Sequence, residues 1–242
     1  MLLQASHKFI HNRHLRSGSS SLHGPEMLLS DRILFMDAEA IVLDKPAGLP
    51  VDAPRRGGDS IAARLGELTF GFKREPTAMH RLDTDTSGCL LFARNAKARA
   101  AFQQLFESRA VEKFYLAVVA TEIGEGEGVI DIPLRKTSSE EAGWRMVSDV
   151  HGLPAVTNWR RLGVQHGMTL VEFRPVTGRT HQIRVHAREA FGRGIVGDRV
   201  YGVPGGPMLL HASRLVVPRT SKTTIDVTAP LPQSFGEWGD EA

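Results

Sequence analysis

Short apolar segments separated by turn-forming and charged residues recur along the chain, and they outnumber the amphipathic segments. The predicted strands are rich in branched and aromatic residues and cover 32–36, 40–43, 89–94, 111–119, 129–132, 155–162, 168–174, 208–217 and 223–228. The predicted helices cover 60–68, 96–107 and 180–190, the last with Thr180 as its N-cap. Because strands and helices do not alternate regularly, this order predicts an α+β fold with a mixed, largely antiparallel sheet and flanking helices.

The composition is typical of a globular protein that folds in water. Of the 242 residues, 41% are hydrophobic and 24% are charged. The sequence contains no apolar stretch near the roughly 18 residues that a membrane-spanning helix needs. The single cysteine, Cys89, excludes an intrachain disulfide and a cysteine-rich zinc site, and its apolar neighbours predict a buried strand thiol.

The charge is unevenly distributed, since the net charge of +3 equals the three basic residues Lys8, Arg13 and Arg16 in an acid-free N-terminal segment. The rest of the chain is balanced, so its net charge alone does not predict a nucleic-acid partner. Residues 1–26 are predicted to be a disordered leader or a spurious extension before a start at Met27, with an organelle-targeting segment as the alternative. The predicted folded domain covers 27–235, and 236–242 is predicted to be a C-terminal tail.

Residues 80–88, HRLDTDTSG, concentrate polar groups just before a predicted strand. Asp83 and Asp85 are two apart and would point the same way in an extended segment. They are compatible with a carboxylate pair for acid–base chemistry, with one nucleophilic aspartate, or with turn acceptors of no catalytic role. A lone histidine such as His80 is more often hydrogen-bonded within the structure than a catalytic base.

Two further segments carry groups that need partners. On the predicted third helix, Arg184 lies between Ile183 and Val185, so we expect it to be partly buried and to need an anion, for which the 80–88 segment is the obvious source. Tyr115 lies in a predicted strand, where a core role is more common than a functional one. Leu210 is by default a core strand residue, and the Gly197-Asp198 pair is a common turn.

Several enzyme classes lack support. His181 and His186 are five apart and do not share a helical face as the histidines of a zinc-binding HExxH motif do. The sequence has no GxSxG nucleophile elbow, no P-loop and no GxGxxG motif, so it predicts no metal and no nucleotide cofactor.

The segments taken together resemble the RluA-type family of RNA pseudouridine synthases, from about Ile33 to about Thr228. The resemblance is carried, in this order, by DKPAGLPV at 44–51, HRLDTDTSG at 80–88, KFYLA at 113–117, GRTHQIRVH at 178–186, GDRVYG at 197–202 and LHASRL at 210–215. It implies an isomerase that converts uridine to pseudouridine in tRNA or rRNA hairpin loops and needs no cofactor. It also implies RNA as the partner, and we expect a monomeric, cytoplasmic protein unless residues 1–25 target an organelle.

The resemblance also implies roles for individual residues. Asp83 would be the catalytic aspartate, Tyr115 would contact the uracil and take part in proton removal from C5, and Arg184 would pair with Asp83. Replacement of Arg184 should then impair activity more than folding. The residues expected to bind the substrate are Arg81, Leu210, His80, Lys45 and His181. Two alternatives remain at this point: an RNA-binding protein without catalysis, and a carboxylate-based glycosidase, which needs an acid–base pair of carboxylates.

Overall fold

The computed structural model describes residues 27–124, 126–139 and 143–240, so the predicted leader over 1–26 lies outside the described residues. The strands are β1 (Ile33–Met36), β2 (Ala40–Lys45), β3 (Thr77–Ala78), β4 (Ser87–Ala93), β5 (Glu112–Val119), β6 (Glu127–Asp131), β7 (Leu134–Ser139), β8 (Gly143–Ser148), β9 (Val156–Gln165), β10 (Met168–Pro175), β11 (Leu210–Val217) and β12 (Ile225–Thr228). The α-helices are α1 (Ala96–Glu107) and α2 (Gln182–Phe191), and short 3₁₀ helices cover Leu29–Arg32, Ala62–Leu68 and Gln233–Asp240.

One ten-stranded sheet organises the fold. Its strands follow the order β1-β2-β4-β11-β5-β10-β9-β6, with β3 paired to β4 and β12 paired to β11. The pairing of β4 with β11 is parallel, and the other pairings in this sheet are antiparallel. The predicted α+β fold with a mixed, largely antiparallel sheet is therefore confirmed.

The two faces of the sheet bury separate cores, as the alternation of side chains along a strand requires. On β4, Leu90 and Phe92 belong to one core, whereas Cys89 and Leu91 belong to the other. Helix α1 covers the second face with Phe102 and neighbouring apolar side chains. Cys89 is buried there as predicted, and burial raises the pKa of its thiol to about 12.

The parallel contact between β4 and β11 depends on Gly88. This residue has a φ of +104°, and a Cβ placed on it would lie 2.2 Å from the carbonyl oxygen of Ala212. Neither the backbone conformation nor the space tolerates a side chain. Gly88 thus lets the loop over 80–87 join β4 right beside the start of β11.

We expect Gly88→Ala to lower the free energy of unfolding by about 2 kcal/mol or more, because the new methyl group meets backbone and not a movable side chain. Urea unfolding followed by circular dichroism measures this. Gly66→Ala is the matched control, since nothing lies within 4 Å of a Cβ at Gly66 and its φ is not positive. Equal stability of the two variants would contradict the packing argument.

Two local predictions were wrong, and one was right in place but not in helix type. Helix α2 is not capped by Thr180: it begins at Gln182, and His181 occupies the N-cap position in a left-handed conformation with a φ of +53°. The segment 236–242 is not simply a tail, because Trp238 is buried in a small core with Leu116 and Val118. The helix predicted over 60–68 is a 3₁₀ helix that begins at Ala62, and Ser60 accepts a hydrogen bond near its start.

The β7–β8 hairpin was not predicted. It forms a separate two-stranded sheet beside the main one, and its inward face is held by few apolar side chains, among them Leu134 and Met146. Within the described part of the chain, no helix is long and apolar enough to cross a membrane.

Candidate active site

A cavity of about 740 Å³ opens on the side of the sheet that α2 covers. Its walls come from the loop ending at β4, from β5, from the β7–β8 hairpin, from the loop before α2 and from the start of β11. The cavity gathers all the site residues expected from the sequence except Lys45, namely His80, Arg81, Asp83, Tyr115, His181, Arg184 and Leu210. Residues up to 130 positions apart in the chain are thus brought together at one place.

Arg184 joins two carboxylates at the floor of this cavity. Its Nη1 donates to Asp83 Oδ2 at 2.9 Å, so the contact expected with the 80–88 segment is present. Its Nε and Nη2 donate to the two oxygens of Asp198 at 2.7 and 2.8 Å. Such a bidentate pair fixes the plane of the guanidinium and therefore the direction of its bond to Asp83.

Asp198 is the functional residue that the sequence reasoning missed. Its side chain is fully buried, and it also accepts hydrogen bonds from the backbone N–H groups of Val200 and Tyr201. Burial alone would raise the pKa of Asp198, but the hydrogen bonds and charge of Arg184 outweigh burial and the pKa is lowered. The pKa of Arg184 is raised, because the two carboxylates outweigh the opposite effect of its burial.

The loop that carries Asp83 is held from behind by Lys45. The ammonium group donates to the carbonyl oxygens of Pro46, Leu49 and Thr84 at 2.8 to 3.0 Å, and burial lowers its pKa to about 8. Lys45 is completely buried and does not line the cavity. The expectation that it binds substrate is corrected: its three hydrogen bonds support the loop, and its burial leaves no access for an RNA phosphate.

Asp83 and Asp85 do not form a carboxylate pair in the cavity. A hydrogen bond from Thr86 N to the Asp83 carbonyl closes a turn at this point. Asp83 lines the cavity at its partly exposed position, whereas Asp85 is exposed on the turn and is not part of the lining. The titratable side chains within 4 Å of Asp83 are those of Arg184 and His181 and not a second carboxylate, so the geometry does not favour a glycosidase with two carboxylates.

Tyr115 and Leu210 contribute apolar surface to the cavity from neighbouring strands. Both are buried in the same core, and the register pairs Leu210 with Ala117, two residues from Tyr115. Burial raises the pKa of Tyr115, and the charge of Asp83 raises it further, so the phenol stays neutral. Among the residues that the structure describes, none is hydrogen-bonded to the Tyr115 hydroxyl, which leaves it available to a ligand.

At the edge of the cavity, His80 is held by a hydrogen bond to the backbone, whereas Arg81 is exposed. His80 Nε2 accepts a hydrogen bond from Leu91 N at 3.1 Å, and burial lowers the pKa of His80 to about 3. This arrangement fits the structural role that a lone histidine usually has. Among the described residues, Arg81 pairs with Asp52 alone, at the surface, and its side chain is 76% exposed, so it can reorient toward a ligand.

The β7–β8 hairpin forms the wall opposite Leu210. Trp144 stacks on the His181 ring with 5.0 Å between centroids, and the Lys136 ammonium lies 5.0 Å from the Trp144 ring. His181 in turn places its Nε2 3.9 Å from Asp83 Oδ2, and burial lowers its pKa. Trp144 is half exposed on β8, a strand whose side chains are mostly exposed, so hydrophobic periodicity does not indicate this wall.

Comparisons with known proteins identify the family. The RNA pseudouridylate synthase family matches residues 39–189. An uncharacterised RNA pseudouridine synthase of Zymomonas mobilis is 48% identical over 216 residues, which are 88% of this chain and 99% of that protein. Ribosomal large subunit pseudouridine synthase D of the same organism is 34% identical over 177 residues, covering 70% of this chain and 55% of that protein.

The fold comparison points the same way. The solved structure of human RNA Pseudouridylate Synthase Domain Containing 4 matches with a TM-score of 0.71 at 28% identity, and the match covers 86% of this chain and 91% of that one. This chain therefore belongs to the RNA pseudouridine synthase family and is an isomerase.

Proposed function

We propose that this enzyme isomerises uridines in hairpin loops of tRNA or rRNA and that Asp83 is its nucleophile. The observation that carries the assignment is the ion pair between Asp83 and Arg184 at the floor of a cavity that also holds a neutral tyrosine and an apolar strand residue. Its volume, about 740 Å³, lies within the range of roughly 300–1,000 Å³ that small-ligand sites occupy. A single nucleotide turned out of its stack fits such a cavity.

Asp83, Tyr115 and Leu210 have different roles in the proposed reaction. The Asp83 carboxylate attacks C1′ of the ribose, or stabilises a cation-like C1′, while the bond from C1′ to N1 of uracil breaks. The freed base rotates and C5 bonds to C1′, which on the covalent route breaks the bond between C1′ and Asp83 and releases the carboxylate. The hydrogen on C5 then leaves as a proton, and N1 gains one. Tyr115 lies where it can contact the rotating base, and Leu210 provides an apolar surface for its ring. No electrons enter or leave, so no redox cofactor is required.

The surroundings of the cavity support an RNA substrate. A second cleft of about 510 Å³ adjoins it and shares Lys136 and Arg179 with its lining. The described residues around this cleft also include Arg135 and His151 and no acid, although Arg135 is paired with Asp149. A cationic surface that continues from the reaction cavity suits the phosphates on either side of the target nucleotide, which position RNA without specifying sequence.

The choice between tRNA and rRNA is open to direct test. One relative is named as a ribosomal large subunit synthase, which favours rRNA. The full chain should be incubated with tRNA and with large-subunit rRNA, each made with tritium at C5 of uridine. We expect tritium release from one of them at a single position, which pseudouridine mapping then locates. Absence of release from both RNAs, with the protein folded and binding RNA, would overturn the proposal.

A further inference from the structure

A chain of polar contacts, two hydrogen bonds followed by one longer contact, connects the β7–β8 hairpin to the proposed nucleophile. Met146 N on β8 donates to the Tyr201 hydroxyl at 2.9 Å, and the Tyr201 oxygen lies 2.8 Å from His181 Nδ1. His181 Nε2 lies 3.9 Å from Asp83 Oδ2 at the other end of the ring. The chain therefore runs from a hairpin backbone group to the carboxylate through two side chains.

The donors and acceptors along this chain assign the protonation of His181. A backbone N–H can only donate, so the Tyr201 oxygen accepts from Met146. The one hydroxyl proton of Tyr201 is then satisfied by His181 Nδ1, which acts as the acceptor. A neutral imidazole with an accepting Nδ1 carries its proton on Nε2. The N–H of His181 consequently faces Asp83.

Ring contacts on two sides hold His181 in this place. Trp144 stacks on it at an interplanar angle of 23°, and the Tyr201 ring meets it edge-on with 5.5 Å between centroids. Its backbone has a φ of +53°, a conformation that costs free energy for a residue with a side chain and often marks a functional site. Burial favours the neutral ring, with Asp83 and Asp198 acting against burial and Arg184 acting with it.

We propose that His181 is a positioning residue for Asp83 and that Tyr201 couples it to the β7–β8 hairpin. In its contact with Tyr201 and His181, the hairpin supplies both the Met146 N–H that orients Tyr201 and the Trp144 indole that covers His181. RNA that engages the hairpin therefore determines how the carboxylate is held. This inference rests on the proposed role of Asp83 and replaces a direct RNA contact by His181 with an action through Asp83.

The first test is Tyr201→Phe, which keeps the ring against His181 and under the Arg184 guanidinium and removes only the hydroxyl. We expect kcat to fall roughly ten- to a hundredfold with KM for RNA nearly unchanged, because a small misplacement of a reacting group has a cost of this size. Nitrogen-15 NMR should show His181 protonated at Nε2 in the wild type and as a mixture of tautomers in Tyr201→Phe.

The second test asks whether an N–H group at the Nε2 position of His181 is sufficient to position Asp83. His181→Gln places an amide N–H near that position and should keep more activity than His181→Leu. His166→Gln is the matched control, because His166 is exposed in the turn between β9 and β10, does not line the cavity and pairs with Glu237. It should have wild-type kcat.

The outcomes separate this inference from the proposed function. If the wild type is active and Asp83→Asn is not, the proposed function stands. In that case any one of four results would overturn the positioning role. Two concern Tyr201→Phe: a wild-type kcat, or a change confined to KM. The others are equal activity of His181→Gln and His181→Leu, and His181 protonated at Nδ1 in the wild type.

Discussion

Asp83→Asn is expected to abolish pseudouridine formation and to leave RNA binding largely intact. The amide has nearly the size of the carboxylate and can still accept a hydrogen bond from Arg184, but it is not a nucleophile and carries no charge to stabilise a cationic ribose. We expect the rate to fall by about 10⁴-fold or more, as it does when the nucleophile of another enzyme is removed. Tritium release from C5-labelled RNA measures the rate, and filter binding measures the affinity.

The control is Asp85→Asn, which makes the same change two residues along the same turn. Asp85 is exposed and lies outside the cavity lining, so its variant should keep its rate within about twofold. Mass spectrometry of the purified Asp83→Asn protein must show that the asparagine has not deamidated back to aspartate. Turnover that persists in a protein shown to be free of aspartate at this position would remove Asp83 from the mechanism.

Much of this site could be predicted from the sequence, because some of the site residues need interaction partners that their neighbours in the chain cannot supply. Arg184 lies between two apolar residues of α2, so its burial and its need for an anion follow from the sequence. The alternating and apolar patterns of β4, β5, β9 and β10 likewise predict a sheet, because each buries at least one face.

Other features were hidden because they depend on contacts between distant segments. Nothing near Asp198 distinguishes a buried clamp on Arg184 from an ordinary turn, until the fold places the two side chains together. Lys45 follows a buried strand and resembles a surface lysine at the end of it, but three carbonyl groups from two loops surround its ammonium. The β7–β8 hairpin exposes most of both strands, so hydrophobic periodicity does not detect it.

Arg184→Met is expected to abolish activity and also to lower the free energy of unfolding by about 3–5 kcal/mol, the usual cost of leaving a buried charge without its partner. The sequence suggested a smaller effect on folding than on activity, because only the pairing with Asp83 could be foreseen. The structure adds Asp198, whose fully buried carboxylate would lose both of its charge-assisted hydrogen bonds from Arg184. Urea unfolding gives the stability, and tritium release gives the rate.

Two further variants separate the causes of the stability lost in Arg184→Met. Arg184→Met with Asp198→Asn removes the buried charge as well, so it should recover much of the stability and none of the activity. Arg188→Met is the matched control one turn further along α2, where the guanidinium donates to the Tyr201 carbonyl oxygen at 3.2 Å. A single surface-side hydrogen bond of this kind is worth about 1 kcal/mol. A double variant as unstable as Arg184→Met alone would show that the lost stability does not come from Asp198.

The pH dependence gives an independent check on the same ion pair. Arg184 lowers the folded-state pKa of Asp198, so the pair contributes stability that is fully present above the unfolded pKa of about 4 and is lost as the pH falls through the folded value. Without Arg184, burial raises the pKa of Asp198 against only the two backbone hydrogen bonds from Val200 and Tyr201, so protonation relieves the buried charge as the pH falls. The difference in stability between the wild type and Arg184→Met should therefore be largest near pH 7 and shrink toward pH 5. A difference that does not change with pH would mean that lost packing, and not the unpaired Asp198 carboxylate, destabilises the variant.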